Sequence, residues 1–206
     1  MKRFQLWCAA MLLPLLAACN VNVIPPTDFT ETRTFDLASP APVGELPFVV
    51  EVETFSNECS GRYKMIVRED ANRIAVDEYN RWSMPPGAML TKYLAARFAA
   101  QPQAGDSRDQ GKQVFILDGS VLNCELDKAK KQVCLLVHFF IVEPGSNTFR
   151  LTGTENCVVP VKDITAEAFA DGMNKAAAEF ADRVVSVLKE ELKKRADEAN
   201  AASETK

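Results

Sequence analysis

The alternation of apolar and polar positions lays out most of this chain as strands. Phe48-Val49-Val50-Glu51-Val52-Glu53-Thr54-Phe55 is β-rich and alternates at its centre, which predicts a strand. A short strand is expected before it at Arg33 to Leu37, and Pro40, Pro42, Gly44 and Pro47 mark the loop between them. Tyr63 to Arg68 and Arg73 to Tyr79 predict a hairpin turning at Glu69-Asp70-Ala71-Asn72. Val114 to Asn123, Val133 to Val142 and Thr148 to Val159 read as a three-strand meander. Two stretches change period. Pro85 and Pro86 open a helix to about Ala100, with Met89, Leu90, Tyr93, Leu94 and Phe98 on one face; proline suits a first helical turn because its missing donor would be unpaired there anyway. Thr165 caps a last helix, whose stripe runs Phe169, Met173, Ala176, Phe180, Val184, Val187, Leu188, Leu192. Strands, helix, strands, helix is the order of an α+β fold. The expected architecture is a two-layer sandwich, a mostly antiparallel sheet with two helices packed on one face.

The N-terminus follows a different logic. Lys2 and Arg3 precede an apolar run from Phe4 to Leu16, and Ala17 and Ala18 precede Cys19. Basic, apolar and small-residue regions in that order make a signal peptide. A cysteine directly after the small residues makes the cleavage site a bacterial lipobox, in which the thiol is acylated and becomes the new N-terminus. The expected organisation is a signal peptide at 1–18, a lipidated N-terminus and tether at 19–32, a folded domain at 33–194 and a charged tail at 195–206. Two or more acyl chains give stable anchoring where one does not. Asn20, where the sorting pattern of enteric bacteria would place Asp for retention, favours the outer membrane, facing the periplasm. The inner membrane remains open.

Charge and cysteines narrow the chemistry. Removing Lys2 and Arg3 from the 24 basic residues leaves 22 against 28 acidic ones. An acidic body argues against nucleic acid, which needs a basic face. Cys8 leaves with the signal and Cys19 is lipidated, so Cys59, Cys124, Cys134 and Cys157 remain. An even number in an oxidising compartment suggests two disulfides. If the meander hairpin is symmetric about Ala129, Cys124 lies opposite Cys134, and Cys59 pairs with Cys157 by subtraction. The spacings match no zinc knuckle, and His138 is the only histidine. No metal and no cofactor is expected.

The middle meander strand is apolar on both faces. Val133, Leu135, Val137, Phe139 and Ile141 share one; Cys134, Leu136, His138, Phe140 and Val142 share the other. Two helices can cover only one face. The second needs a subunit, another segment of the chain or a ligand, so Leu122, Leu136, Phe140 and Val142 are candidates for an oligomer face. The same register sets Ser120 opposite His138 with Asp118 diagonal. A hydrolase serine sits on a strained turn beside an oxyanion hole, and Ser120 lies mid-strand, so no catalytic role is assigned.

The block from Arg68 to Leu94 carries a resemblance. Arg62-Tyr63-Lys64-Met65-Ile66-Val67-Arg68 is followed by Tyr79-Asn80-Arg81-Trp82-Ser83-Met84-Pro85-Pro86, then Met89-Leu90 and Leu94. This resembles the ABC-type transport auxiliary lipoprotein family of the paraquat-inducible protein C type, in which a hydrophobic-V-x-R segment and a Y-x-x-x-W-a-x-P motif lead into a helix. Arg68, Tyr79, Trp82, Pro85 and Leu90 are the matching positions. The resemblance implies a non-enzymatic auxiliary or docking subunit of an ABC transporter with mammalian-cell-entry (Mce) subunits, moving lipid between inner and outer membranes and assembling as a homo-oligomeric ring. A free-standing structural or envelope-assembly lipoprotein and a lipid-binding periplasmic shuttle are the alternatives. By their residue types, Tyr79 and Trp82 read either as partner or lipid contacts or as the corner where strand meets helix, with the indole N–H bonded to backbone. Arg68 and Arg81 read either as headgroup ligands or as partners of Glu51, Glu53 or Asp77.

Overall fold

The computed structural model describes residues 30–99, 111–145 and 150–204, nearly all within one unit, Thr32–Lys206. The signal peptide, Cys19 and most of the tether lie outside the described residues. The strands are β1 (Arg33–Phe35), β2 (Phe48–Val52), β3 (Ser56–Asn57), β4 (Lys64–Arg68), β5 (Ile74–Trp82), β6 (Gln113–Asp127), β7 (Gln132–Val142) and β8 (Arg150–Pro160). The helices are α1 (Pro86–Phe98), between β5 and β6, and α2 (Ala166–Glu204), after β8.

One sheet of eight strands results, in the order β1-β5-β4-β6-β7-β8. β6 organises it. From Ile116 to Asp127 it pairs antiparallel with β7 along one edge, while β2, β3 and β4 take successive stretches of the other edge, all parallel to β6. The long ladders of the meander are antiparallel, so most paired residues are too. Both helices pack on one face, α1 mainly over β2 and β3 and α2 over β7 and β8. The expected α+β sandwich is the fold found.

Alternation explains which side chains meet the helices. Phe115, Leu117, Val121 and Leu126 of β6 are buried with Val133, Leu135, Val137, Phe139 and Ile141 of β7. The α2 stripe from Phe169 to Leu188 closes over them. Small residues let that helix lie close: Ala176, Ala177 and Ala181 are fully buried, and a Cβ on Gly172 would stand 2.6 Å from Val133. Thr165 caps α2 as expected, its hydroxyl accepting the Ala168 N–H at 3.1 Å. The helix continues through 195–204, the segment set apart above as a charged tail, and Arg195 ties it to Glu143 at 3.2 Å. At 39 residues it spans about 58 Å.

The segment 36–46 straps across the helix layer. Asp36 pairs with Lys92 of α1 at 2.8 Å, and the Ala38 N–H donates to Asn174 of α2 at 2.7 Å. Arg97 donates to the Ala41 carbonyl at 2.5 Å and its own carbonyl accepts the Val43 N–H at 2.8 Å. Leu37 and Leu46 bury at the two ends of the strap.

A bulge corrects the cysteine pairing. Ser120 faces His138 and Val121 faces Val137, but Asn123 faces Leu136, so Leu122 is an extra residue on β6. Beyond it the register slips by one and every side chain changes face. Cys124 therefore faces Leu135 on the helix side, and Cys134 faces Glu125 on the opposite side. Cys59 flanks β6 at its other edge, its N–H donating to Val121, whereas Cys157 lies across the sheet on β8. Neither expected disulfide forms, and all four thiols are free. Burial pushes all four thiol pKa values up, Cys157 to about 12 and Cys124 well above the usual thiol range. Few are thiolates near neutral pH, and the thiolate is the reactive form. Iodoacetamide without reductant is therefore expected to label the native domain slowly and to add four adducts after urea denaturation, read by intact mass. Fewer than four in urea would restore a disulfide.

Candidate interaction surface

The sheet face away from the helices combines the residues that sequence singled out with others that it did not. Leu136, Phe140 and Val142 project from β7 beside Ile116, which faces Val142 on β6. Phe140 is 38 % exposed, with Val158 of β8, Ile74 and Val76 of β5 in the same range. Ile74 and Val76 share this face because they pair with Arg68 and Ile66. Leu122 sits at the bulge, outside the β7 ladder. Among the described residues neither helix lies against this face.

Polar groups here bond to each other. His138 Nδ1 lies 2.9 Å from Thr154 Oγ1, and its ring meets Phe140 edge-on at 4.7 Å. Ser120 does face His138, but it is buried mid-strand, and Asp118 accepts the N–H of its neighbour Gly119 at 2.6 Å. Nothing here builds an activated nucleophile.

Arg68 is a structural residue on this face. Its Nε and one terminal nitrogen reach the two carboxylate oxygens of Glu125 at 2.5 and 2.8 Å, and the other donates to the Ala71 carbonyl at 3.2 Å. Glu125 is buried, and its hydrogen bonds and charge hold the guanidinium pKa above its ordinary value. The partner is therefore Glu125 rather than Glu51, Glu53 or Asp77. Sequence could not name it, because β4 and β6 meet only through the parallel ladder Val67↔Leu126, Arg68↔Asp127.

Tyr79 and Trp82 separate. Between Lys64↔Arg81 and Ile66↔Val76 the β5 register shifts by three residues, and Tyr79 stands 52 % exposed on that bulge. Asp77 organises it: one carboxylate oxygen accepts the N–H groups of Tyr79 and Asn80, each at 2.9 Å, and the other accepts the Asn80 amide at 2.7 Å. Partial burial opposes ionisation of Asp77, but these hydrogen bonds outweigh it and lower its pKa. Trp82 is buried edge-on against Phe169 at 5.1 Å. Its Nε1 has no partner, so the backbone bond expected for the indole is not made. Pro85 precedes α1 without a side-chain cap, and Leu90 is core. Arg68, Trp82 and Leu90 thus act in the scaffold, and Tyr79 alone of the matched positions faces solvent widely.

The opening beneath the strap, lined by Asp36, Leu37, Met89, Lys92 and Tyr93, holds about 80 Å³. A small-molecule site normally offers about 300 Å³ or more. No group of three or more His, Cys, Asp or Glu among the described residues could hold a metal, and no helix there is long and apolar enough to cross a membrane.

The sequence model of the family described as ABC-type transport auxiliary lipoprotein component matches residues 60–185. This chain belongs to that family. The match runs from just before β4 into α2 and includes Arg68, Tyr79, Trp82, Pro85 and Leu90. The ABC-type transport auxiliary lipoproteins are accessory components, and the role of this chain is non-enzymatic. No curated protein matches it at a significant level. Two crystal structures share the fold. An uncharacterized protein superposes with a TM-score of 0.57 at 12 % identity, over 77 % of this chain and 99 % of its own. The XCC0632 protein of Xanthomonas campestris gives 0.56 at 15 %, over 74 % and 92 %.

Proposed function

We propose that this family member is held at the outer membrane, facing the periplasm, by acyl chains on Cys19, and that it serves as a docking subunit of an Mce-type ABC lipid transporter. It acts by contact, assembling with copies of itself into a ring through Leu122, Leu136, Phe140 and Val142. The observation that carries the reading is the apolar sheet face backed by neither helix, in a chain whose family is auxiliary to ABC transport. Exposed apolar side chains gathered on one face, as Phe140, Val158, Ile74 and Val76 are, mark interaction sites. Phe140 is the side chain on which to test it, because it is both large and exposed.

The acylated protein purified in mild detergent is expected to run as an oligomer by native mass spectrometry and to carry along an Mce-domain subunit. Phe140→Asp is expected to shift the mass to the protomer while leaving the far-ultraviolet circular dichroism unchanged. A parent chain that is monomeric at micromolar concentration and captures no transporter component would defeat the proposal.

A further inference from the structure

Of the six large apolar side chains that stand exposed among the described residues, four lie on one arm of the sheet, residues 61–82: Tyr63, Ile74, Val76 and Tyr79. The arm carries five Lys and Arg against four Asp and Glu, with Lys64 paired to Glu78, Arg68 to Glu125 and Arg73 to Glu69. Arg62 stacks over the Tyr63 ring at 5.2 Å, and Arg81 is exposed beside the Tyr79 bulge. Tyrosine suits a membrane–water boundary, being apolar in body and polar at its tip, and long basic side chains lie along apolar surface with their charge in the headgroups.

Chain connectivity points the same way. β1, where the chain enters the body, pairs with the end of this arm: Arg33↔Asn80, Thr34↔Arg81, Phe35↔Trp82. Only residues 20–32 separate β1 from Cys19. Thirteen residues reach at most about 43–47 Å even when fully extended. Tethering at that distance gives an effective concentration in the millimolar range, so a weak contact is enough to be occupied. The middle of the open face is less suited to an anionic surface, because it presents Asp118, which faces Phe140.

We propose that the β1 and β4–β5 corner rests on an anionic phospholipid surface, with Tyr63 and Tyr79 at the interface and Arg62 and Arg81 toward the headgroups. This rests on the anchoring at Cys19 proposed above.

The test uses the acylated full-length mature protein in vesicles of phosphatidylglycerol and phosphatidylcholine, with shallow brominated lipid as quencher. Cleavage before Cys19 removes Trp7 and leaves Trp82, which is buried, as the internal control. The Tyr79→Trp variant is expected to be quenched roughly twofold more than the parent, as for an indole at the boundary. Adding Arg62→Glu and Arg81→Glu is expected to return it to the parent's level. A Tyr79→Trp chain that floats with the vesicles but is quenched no more than the parent overturns the membrane contact and leaves the anchoring intact. Emission that instead shifts with protein concentration in detergent assigns the patch to a second copy and also overturns it. A chain that does not float overturns both.

Discussion

Arg68→Ala is expected to lower the thermal midpoint by roughly 5–10 °C, followed by circular dichroism. Glu125 is 5 % exposed, and Arg68 meets both of its carboxylate oxygens. Removing the guanidinium leaves a buried carboxylate without its counter-charge, which costs far more than the net contribution of the pair itself. The effect should therefore be asymmetric. Arg68→Met combined with Glu125→Leu removes both charges and is expected to melt near the parent, because neither partner is left stranded. A headgroup-binding arginine would behave otherwise: its loss would barely move the melt. A single variant within about 2 °C of the parent would contradict the structural role.

Cys19→Ser is expected to abolish acyl labelling altogether and to remove the protein from the outer-membrane fraction. The hydroxyl cannot take the thioether-linked diacylglycerol on which cleavage depends. Each buried methylene contributes about 0.8 kcal/mol, so the lost chains account for essentially all of the anchoring. The apolar run Phe4–Leu16 that an uncut chain would keep is 13 residues, against about 20 needed to span. Radioactive palmitate incorporation read beside fractionation checks this. A Cys19→Ser chain that still took up label, or a wild-type chain that never did, would overturn the anchoring.

Much of this molecule was legible in order and period. The meander alternates so strongly that β6, β7 and β8 emerge within a few residues of their ends, and the α2 stripe at three- and four-residue spacing foretells the face that packs on them. Side-chain period reports which face is buried. It says nothing about which backbone lies alongside. The stacking of β2, β3 and β4 along one edge of β6 was therefore invisible, and with it the Arg68–Glu125 pair. The two-residue β3 is also too short to carry any period.

The bulge at Leu122 teaches the same point at finer scale. The symmetric hairpin places Ser120 opposite His138 correctly, on the far side of the bulge from the turn. Nearer the turn the same reckoning is one residue out, and the cysteines land on opposite faces. One inserted residue is a local feature of how β6 pairs with β7, and no pattern within β6 announces it. The matched aromatics divided for a similar reason: Asp77 gathers the backbone of Tyr79 and Asn80 into a bulge that turns Tyr79 outward, while Trp82 stays in register with Phe35 and sinks beneath α2.

By itself, the order of residues determined the two-layer class, the faces of the long elements and the kinship carried by Arg68 to Leu94. These depend on neighbours in the chain, where period and residue type speak directly. Tertiary structure alone decided strand partners, the slip at Leu122, the free state of the thiols and the exposed arm bearing Tyr63 and Tyr79. Those depend on backbone hydrogen bonds and close packing between segments tens of residues apart, and such contacts exist only once the chain has folded.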